Sequence, residues 1–425
     1  MVIAAPHSGS GKTLITLGLL RALRNRGLKV TSAKAGPDYI DPGFHAAATG
    51  RPCINLDLWA MGETAVRALA SQQGRDANLL VVEGVMGLFD GPQGAKGSTA
   101  DLAVALGLPV VLVVDASRQS QSIAALAHGF RTLRQDVNVI GVVLNRIASD
   151  RHEDMLRIAL TGIGMKVIGA VRQIDSLQLP SRHLGLVQAE ENQELEAFIE
   201  EAASGVARET FLDSFFESTA PLKRTESTAS ILPPLAQSVA IARDAAFSFL
   251  YAHITEAWRS AGAELSFFSP LADEAPDPKA KAVFLPGGYP ELHAGKLAAN
   301  TRFLNGLRSF PGLIYGECGG YMVLGDGLID KDGQRHAMAG LLPVTTSFAK
   351  PKLHLGYRQL GSWNGPWPQK LRAHEFHYST LESEGQAPAL FEARDAAGND
   401  LGTMGHKLGN VMGSYAHVIS TAPHG

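Results

Sequence analysis

The sequence predicts an α/β protein of two domains, each built as three layers with a central sheet between helices. Short apolar segments rich in β-branched residues alternate with segments of helical apolar spacing, first from the N-terminus and again from Val239. Between the two series, residues 214–238 contain Ser, Thr, Pro and mixed charges with little periodicity, which is typical of a linker. We therefore expect a first domain at 1–213 and a second at 239–425.

The first half follows a strand–helix–strand order. Its predicted strands are Val2–Ala5, Lys29–Ala33, Leu79–Glu83, Val110–Asp115 and Val139–Asn145, and its clearest helical segments are Leu14–Arg26, Glu63–Gln72 and Ser120–Arg134. Strands that are apolar throughout are covered on both faces. Strands joined by helices in this way predict a parallel sheet with right-handed crossovers. The second half predicts strands at Val239–Ala242, Glu264–Phe268, Ala282–Leu285 and Leu313–Tyr315, with a helix over Phe247–Ala261.

Composition narrows the class of protein. A formal net charge of −3 gives no basic excess for a general nucleic-acid binder. Two distant cysteines are not a disulfide framework and favour a reducing compartment. No segment approaches the roughly 20 apolar residues that a membrane span needs, and no leader pattern precedes the first strand. We expect a cytoplasmic protein that binds neither nucleic acid nor membrane.

A loop between the first strand and the first helix has the composition of a phosphate-binding loop. Its residues are Ser8, Gly9, Ser10, Gly11, Lys12 and Thr13. Backbone N–H groups at a helix N-terminus bind nucleotide phosphates, the lysine reaches the terminal phosphates and the hydroxyl binds Mg²⁺. The strict pattern has Gly six residues before Lys12, where this chain has Pro6, so the motif is a variant. The alternative is a Gly/Ser turn that precedes a lysine.

Carboxylates follow two of the predicted strands and face the same crevice as the loop. The candidates are Asp38, Asp41, Glu83 and Asp90. Oxygen ligands of this kind suit Mg²⁺. The alternative for Asp38 and Asp41 is a role as helix caps or turn formers beside Pro37 and Pro42. Asn145 ends a strand, where it faces the adenine edge of ATP or forms a turn.

The second half contains a cysteine in the setting of a nucleophile elbow. Cys318 follows an apolar strand, is flanked by Gly316, Gly319 and Gly320, and precedes a helical pattern. The alternative for a lone cysteine is a small buried hydrophobe. His417 is the best candidate base. Backbone N–H groups of Gly287 or Gly288 are candidates for the oxyanion hole.

His374 and His377 lack the helical spacing of a zinc protease motif and would face opposite sides of a strand. We therefore favour a structural or interface role for them over metal binding.

These motifs together resemble the cobyrinic acid a,c-diamide synthase family of cobalamin biosynthesis. The resemblance rests on residues 4–13, 36–42, 82–87, 316–321 and 374–378, in the family's order. It implies a dethiobiotin synthetase-like ATPase domain followed by a flavodoxin-like class I glutamine amidotransferase domain of the cobyric-acid type. Glutamine is expected to be hydrolysed at Cys318 with His417 as base. The ammonia would then attack an acyl phosphate formed from ATP and a corrin carboxylate.

The resemblance also assigns roles to the other motif residues. It implies a substrate and ATP interface at Asp38, Tyr39, Ile40 and Asp90, metal ligands at Thr13, Asp41 and Glu83, and a glutamine site that includes Gly287, Gly288 and Gly319. It implies ATP, Mg²⁺, glutamine and a corrin substrate, and we expect a homodimer. Ordinary class I enzymes have a glutamate two residues after the histidine and a glutamine four residues after the cysteine. This chain has Ile419 and Met322 there, so a Cys–His dyad is expected.

Four alternatives of function remain open from the sequence. Two use the same chemistry, namely a cobyric acid synthase and a nickel-sirohydrochlorin a,c-diamide synthase. Two belong to other classes: a partitioning-type ATPase, which the first half alone resembles but which the attached Cys318 domain argues against, and a non-catalytic amidotransferase-like sensor. Metal-free hydrogenobyrinic acid is favoured slightly over cobalt-containing cobyrinic acid. The polyacidic substrate calls for cations, for which the candidates are Lys34, Arg146, Arg172 and Arg182.

Overall fold

The computed structural model describes residues 1–173, 181–182, 185–186, 188–191, 194–209, 212–223, 225, 231–362 and 364–423. The chain forms two compact units, Met1–Ala229 and Ser230–Gly425. Part of the predicted linker at 214–238 lies in the helix Leu212–Glu217, and residues 224 and 226–230 lie outside the described residues. Within the described part of the chain, no helix is both long and apolar enough to cross a membrane.

The first unit is built on a seven-stranded parallel sheet in the order β3-β2-β4-β1-β5-β6-β7. Its strands are β1 (Val2–Ala4), β2 (Val30–Ala35), β3 (Ile54–Leu56), β4 (Leu79–Glu83), β5 (Val110–Asp115), β6 (Val139–Ile147) and β7 (Val167–Arg172), followed by the short pair β8 (Ser181–Arg182) and β9 (Gly185–Leu186). Its helices are α1 (Lys12–Asn25), α2 (Asp41–Thr49), α3 (Leu58–Gln73), α4 (Thr99–Leu106), α5 (Ile123–Thr132), α6 (Asp150–Gly162), α7 (Leu195–Glu209) and α8 (Leu212–Glu217).

The central strands of this sheet are buried along their whole length, as continuous apolar segments require. Every residue of β1, β2 and β4 is buried. The predicted parallel sheet is confirmed, and β4 and β5 have the predicted bounds. Parallel pairing places the carboxyl ends of β1, β2, β4 and β6 at one edge, where the loops that carry the candidate site begin.

The second unit has a ten-stranded mixed sheet in the order β11-β10-β12-β13-β22-β21-β20-β17-β18-β23. Its strands are β10 (Ser238–Ala242), β11 (Glu264–Phe268), β12 (Ala282–Leu285), β13 (Leu313–Glu317), β14 (Gly327–Ile329), β15 (Arg335–Ala337), β16 (Val344–Ser347), β17 (His354–Ser362), β18 (Leu371–His377), β19 (Thr380–Glu384), β20 (Ala389–Arg394), β21 (Asp400–Leu408), β22 (Val411–Ser414) and β23 (Ala416–Thr421). Its helices are α9 (Ala252–Ser260), α10 (Ala294–Ala299), α11 (Thr301–Arg308) and α12 (Gly319–Leu324).

The direction of strand pairing changes across this sheet. The strands from β11 to β22 pair in parallel, as predicted for an α/β domain, whereas the strands from β22 to β23 pair antiparallel. A separate four-stranded sheet has the order β15-β14-β16-β19. The predicted helix Phe247–Ala261 begins only at Ala252, because Phe249 instead forms a bridge to Gly287 and donates its N–H to the Gly287 carbonyl at 3.0 Å.

Candidate active sites

The phosphate-binding loop has the backbone that its glycines permit. Gly9 and Gly11 have φ angles of 82° and 89°, in the left-handed region. Gly11 is the residue before helix α1, and a Cβ there would lie 2.1 Å from the Asn145 side-chain nitrogen. A side chain at Gly11 is therefore excluded both by backbone angle and by space. The loop ends directly at the positive end of α1, where a phosphate is favoured.

Asn145, in strand β6, is hydrogen-bonded to the phosphate-binding loop. Its Nδ2 donates to the Ser10 carbonyl at 2.9 Å, and its Oδ1 accepts from the Arg146 backbone N–H at 3.0 Å. The side-chain amide is thus engaged with protein groups at both ends. This contact agrees with a turn-forming role, and contact with adenine stays a prediction.

The three predicted metal ligands of the first unit lie together. The Thr13 hydroxyl is 2.8 Å from Glu83 Oε1 and 3.3 Å from Asp41 Oδ2. Lys34 reaches the same two oxygens, with Nζ 2.9 Å from Glu83 Oε1 and 2.5 Å from Asp41 Oδ2. A hydroxyl and two carboxylates at the end of the phosphate loop form the hard oxygen set that Mg²⁺ prefers, so these residues fit that ion.

The charges of this cluster compensate one another. Burial opposes the charge of Lys34, but the Asp41 and Glu83 carboxylates outweigh it and raise the Lys34 pKa above its usual range. Burial and the nearby Asp38 raise the pKa of Asp41 to about 6. Lys12, whose Nζ donates to the Met86 carbonyl at 2.7 Å, has its pKa lowered by burial and by Lys34. The result is a buried group of paired charges beside the phosphate loop.

His45 is a member of this cluster that the sequence did not reveal. Its Nε2 is 2.6 Å from Glu83 Oε2, on the side opposite to Thr13 and Lys34, and both residues are fully buried. Burial lowers the pKa of His45, but Glu83 outweighs it, and the pKa rises to about 10. Cys53 Sγ lies 3.5 Å from the other ring nitrogen. His45 therefore fixes the orientation of the Glu83 carboxylate.

The residues predicted at the substrate and ATP interface occupy two loops. Asp38 Oδ1 accepts from the backbone N–H of Ile40 at 2.8 Å and of Asp41 at 3.1 Å, so it shapes the start of α2. Tyr39 is half-buried and Ile40 is buried. Asp90 is exposed and accepts from the Gly87 N–H at 2.8 Å. Their contacts with substrate stay a prediction.

In the second unit, Cys318 sits at a sharp turn between β13 and α12. Its φ of 47° and ψ of −106° are unusual for a residue with a side chain, which is the backbone strain of a nucleophile elbow. The turn packs so closely that a Cβ at Gly320 would lie 2.0 Å from the Leu285 carbonyl oxygen. The Cys318 N–H is committed to the Ser414 carbonyl at 2.8 Å, whereas the Gly319 N–H faces the Cys318 sulfur.

Cys318 and His417 both lie against Gly287. A Cβ built on Gly287 would lie 2.2 Å from His417 Cε1, 3.0 Å from His417 Nε2 and 3.2 Å from Cys318 Cβ. A Cβ on Gly319 would lie 3.1 Å from the Gly288 backbone nitrogen. The fold thus brings together all five residues predicted for this site, although they come from three separate segments of the chain.

Burial sets the resting protonation of the pair. It raises the pKa of the Cys318 thiol, and the neighbouring Glu291 raises it further. It lowers the pKa of His417 to about 3, with His374 and His377 acting in the same direction. Before substrate binds, the pair is therefore a neutral thiol beside a neutral imidazole, which is able to accept a proton.

The histidines of β18 lie next to this site in a hydrogen-bonded network. Glu375 accepts from Arg358 Nε at 2.7 Å with one oxygen and lies 2.8 Å from His377 Nε2 with the other. The His354 ring stacks on His377, with ring centroids 4.8 Å apart. Ligand-type atoms of His354, Glu375 and His377 all lie within 4.8 Å of one another, and Arg358 already pairs with Glu375. The structural or interface role favoured above for the histidines stays a prediction. His374 lies opposite His417 in the β18–β23 ladder.

A nucleotide-binding unit and a cysteine–histidine amidotransferase unit on one chain define the class of glutamine-dependent amide ligases. Residues 1–187 match the model of the CobQ/CobB/MinD/ParA nucleotide binding domain, and residues 238–424 match that of the CobB/CobQ-like glutamine amidotransferase domain.

Curated relatives extend this match over the whole chain. The hydrogenobyrinate a,c-diamide synthase of Rhizobium meliloti is 54% identical over 99% of this chain and 98% of its own length. The proteins of that name from Brucella anthropi and Mesorhizobium japonicum are 54% and 48% identical, over 98% and 99% of this chain and 98% of their own lengths in both cases. The chain belongs to the hydrogenobyrinate a,c-diamide synthase family.

Proposed function

We propose that this protein converts the a and c acetate carboxylates of hydrogenobyrinic acid into amides, with ATP and glutamine as co-substrates. The observation that carries the proposal is the convergence of Cys318 and His417 over Gly287 on a chain that also has the phosphate loop and its carboxylate cluster. The names of the relatives favour the metal-free acid over cobyrinic acid, and a diamide synthase over a cobyric acid synthase.

The glutaminase half reaction follows from the resting protonation. As the Cys318 sulfur attacks the carboxamide carbon of glutamine, His417 takes the thiol proton. The oxyanion that develops would accept hydrogen bonds from backbone N–H groups of Gly288 and Gly319, and such a donor contributes about 10²–10³-fold in rate. His417 then returns the proton to the leaving ammonia. Water, deprotonated by His417, hydrolyses the thioester to glutamate and restores the thiol.

The synthetase half reaction activates a carboxylate, which is otherwise a poor electrophile. The phosphate loop and Lys12 would hold the ATP phosphates while a substrate carboxylate oxygen attacks the terminal phosphorus. ADP leaves and an acyl phosphate forms. Ammonia then attacks the acyl carbon and phosphate leaves, giving the amide. Mg²⁺ held by Thr13, Asp41 and Glu83 would supply charge neutralisation of the phosphates. Lys34, inside the carboxylate cluster, would stabilise charge on the transferred group.

The substrate contacts proposed for the first unit are Asp38, Tyr39, Ile40 and Asp90, with Asn145 near the adenine. Among the cations considered for the polyacidic corrin, Arg146 pairs with Asp115 at 2.5 Å and Arg172 pairs with Glu153 at 3.2 Å. The side chain of Arg182 lies outside the described residues. A domain division at 1–213, 214–238 and 239–425, a homodimer and a cytoplasmic location remain proposals.

A coupled assay tests the proposal. ATP and glutamine turnover is measured with hydrogenobyrinic acid, cobyrinic acid and sirohydrochlorin side by side, and product mass is recorded. We expect a gain of two amides on hydrogenobyrinic acid. Cys318→Ser should abolish glutamine use and retain amidation driven by free ammonia. Full glutamine-dependent amidation by Cys318→Ser, or a preference for sirohydrochlorin, would contradict the proposal.

A further inference from the structure

We propose that Glu317 is a positioning residue for glutamine hydrolysis, whose buried carboxyl group holds strand β23, and with it His417, in place against Cys318. The inference rests on the roles of Cys318 and His417 in the proposed function. It assigns a function to the residue immediately before the nucleophile, which takes no part in the half reactions above.

The topology of the second unit creates the need for such a contact. Cys318 follows β13, and His417 lies on β23. In the sheet order these two strands are separated by β22, β21, β20, β17 and β18. The chain does tie β23 to the nucleophile turn at one point, because β23 follows β22, the ladder neighbour of β13, after the single residue Tyr415. Since β13 and β23 are not themselves ladder neighbours, the direction in which β23 leaves β22, and with it the position of the imidazole, depends on contacts beyond the ladders.

One side chain links the two strands directly. Glu317 Oε1 accepts a hydrogen bond from the Val418 backbone N–H at 3.0 Å. Val418 follows His417, and Glu317 precedes Cys318, so the contact is one residue away from each member of the pair. Glu317 is 3% exposed and Val418 is fully buried. Because water is excluded, loss of the acceptor would leave a buried N–H unsatisfied, which is unfavourable.

The chemistry of this carboxyl suits its place beside a thiol. Burial raises the pKa of Glu317 to about 8, against the opposing effects of the Val418 N–H and the Tyr315 hydroxyl. The neutral acid therefore predominates at neutral pH. A carbonyl oxygen is sufficient to accept from Val418, and a neutral group does not oppose the negative charge that develops on the adjacent sulfur. A glutamine side chain at this position would present the same oxygen.

The His417 ring has little room to move, so a shift of strand β23 would change its position relative to Cys318. The His417 ring lies against Gly287 on one side, close enough that a methyl group there would overlap it. The dyad has no carboxylate two residues after the histidine to reorient the ring, because Ile419 occupies that position. A displacement of the order of 1 Å between reacting groups lowers rates by about 100-fold.

The test compares isosteric variants of the full chain. Glu317→Gln keeps the acceptor, whereas Glu317→Met has a similar volume and lacks it. We expect kcat for glutamine hydrolysis within about threefold of the parent for Glu317→Gln and about 10- to 100-fold lower for Glu317→Met, with KM for glutamine little changed in both. The rate of Cys318 alkylation by iodoacetamide, localised by mass spectrometry, should fall in Glu317→Met alone. Amidation driven by free ammonia should stay unchanged.

A matched control separates positioning from stability. Leu304→Ala removes buried apolar volume from helix α11 of the same unit, a helix that carries none of the site residues, and should lower the melting temperature while kcat is retained. Full kcat in Glu317→Met would overturn the inference. So would equal losses in Glu317→Gln and Glu317→Met, or a loss in Leu304→Ala as large as that in Glu317→Met. Glutamine use that survives Cys318→Ser would instead remove the proposed function itself.

Discussion

Gly287→Ala should disable glutamine use through one added methyl group. That methyl carbon would lie 2.2 Å from His417 Cε1 and 3.2 Å from Cys318 Cβ. Because non-bonded carbon atoms rest at about 3.5–4.0 Å, the imidazole must retreat by more than about 1 Å. The ring is fully buried and cannot turn into solvent. We expect kcat for glutamine hydrolysis to fall about 100-fold or more, since a misplacement of about 1 Å has a cost of that size.

The assay measures glutamate release and, separately, amide formation driven by free ammonia. Only the first should fall, since the phosphate loop and carboxylate cluster belong to the other unit. Gly295→Ala is the matched control, because the added methyl group would have its closest contact at 3.6 Å from His336, an ordinary distance. Unchanged glutamate release in Gly287→Ala, or an equal loss in Gly295→Ala, would refute the reasoning.

Three further predictions concern the phosphate loop, the buried lysine and pH. Gly11→Ala should weaken ATP binding more than about tenfold in fluorescence titration, because its methyl group would lie 2.1 Å from the Asn145 side chain. The control Gly129→Ala, whose methyl group would have no neighbour within 4 Å, should bind ATP normally. Equal ATP affinities of the two variants would contradict this prediction. Lys34→Met should lower the free energy of unfolding, measured by urea denaturation, by about 3–5 kcal/mol. It should also slow amidation, whether glutamine or free ammonia is the nitrogen source. Unimpaired amidation would contradict this prediction. Because the Glu317 pKa is raised to about 8 from 4.5, the folded state keeps a proton that the unfolded state releases, so stability should fall as pH rises between these values. An unchanged slope of stability against pH in Glu317→Gln would exclude this origin.

The sequence predicts the first unit well because its strands are buried on both faces. Leu79–Glu83 and Val110–Asp115 are continuous apolar segments, and the structure gives both the predicted bounds. The antiparallel part of the second sheet was not predicted. The strand Asp400–Leu408, for example, is mostly exposed or half-buried, and no apolar segment marks it.

Some site residues are predictable from local sequence pattern, whereas others depend on contacts between distant parts of the chain. Cys318 and Gly287 lie in Gly-rich turns directly after apolar strands, so local pattern was sufficient to find them. His45 pairs with Glu83 across 38 residues, and Glu317 contacts Val418 across 101 residues. No local pattern encodes such a pairing. Lys34 was expected among the cations for the corrin substrate, whereas the structure places its ammonium group among the carboxylates beside the phosphate loop.

The order of the strands along the chain also bears on when the second unit acquires activity. The turn at Cys318 is completed by β22, whose Ser414 carbonyl accepts from the Cys318 N–H, and the base is added with β23, the last strand that the structure describes. A chain cut before Ala416 would retain Cys318 without a proton acceptor. Such a chain would not hydrolyse glutamine, so ammonia production would begin only after β23 had joined the sheet.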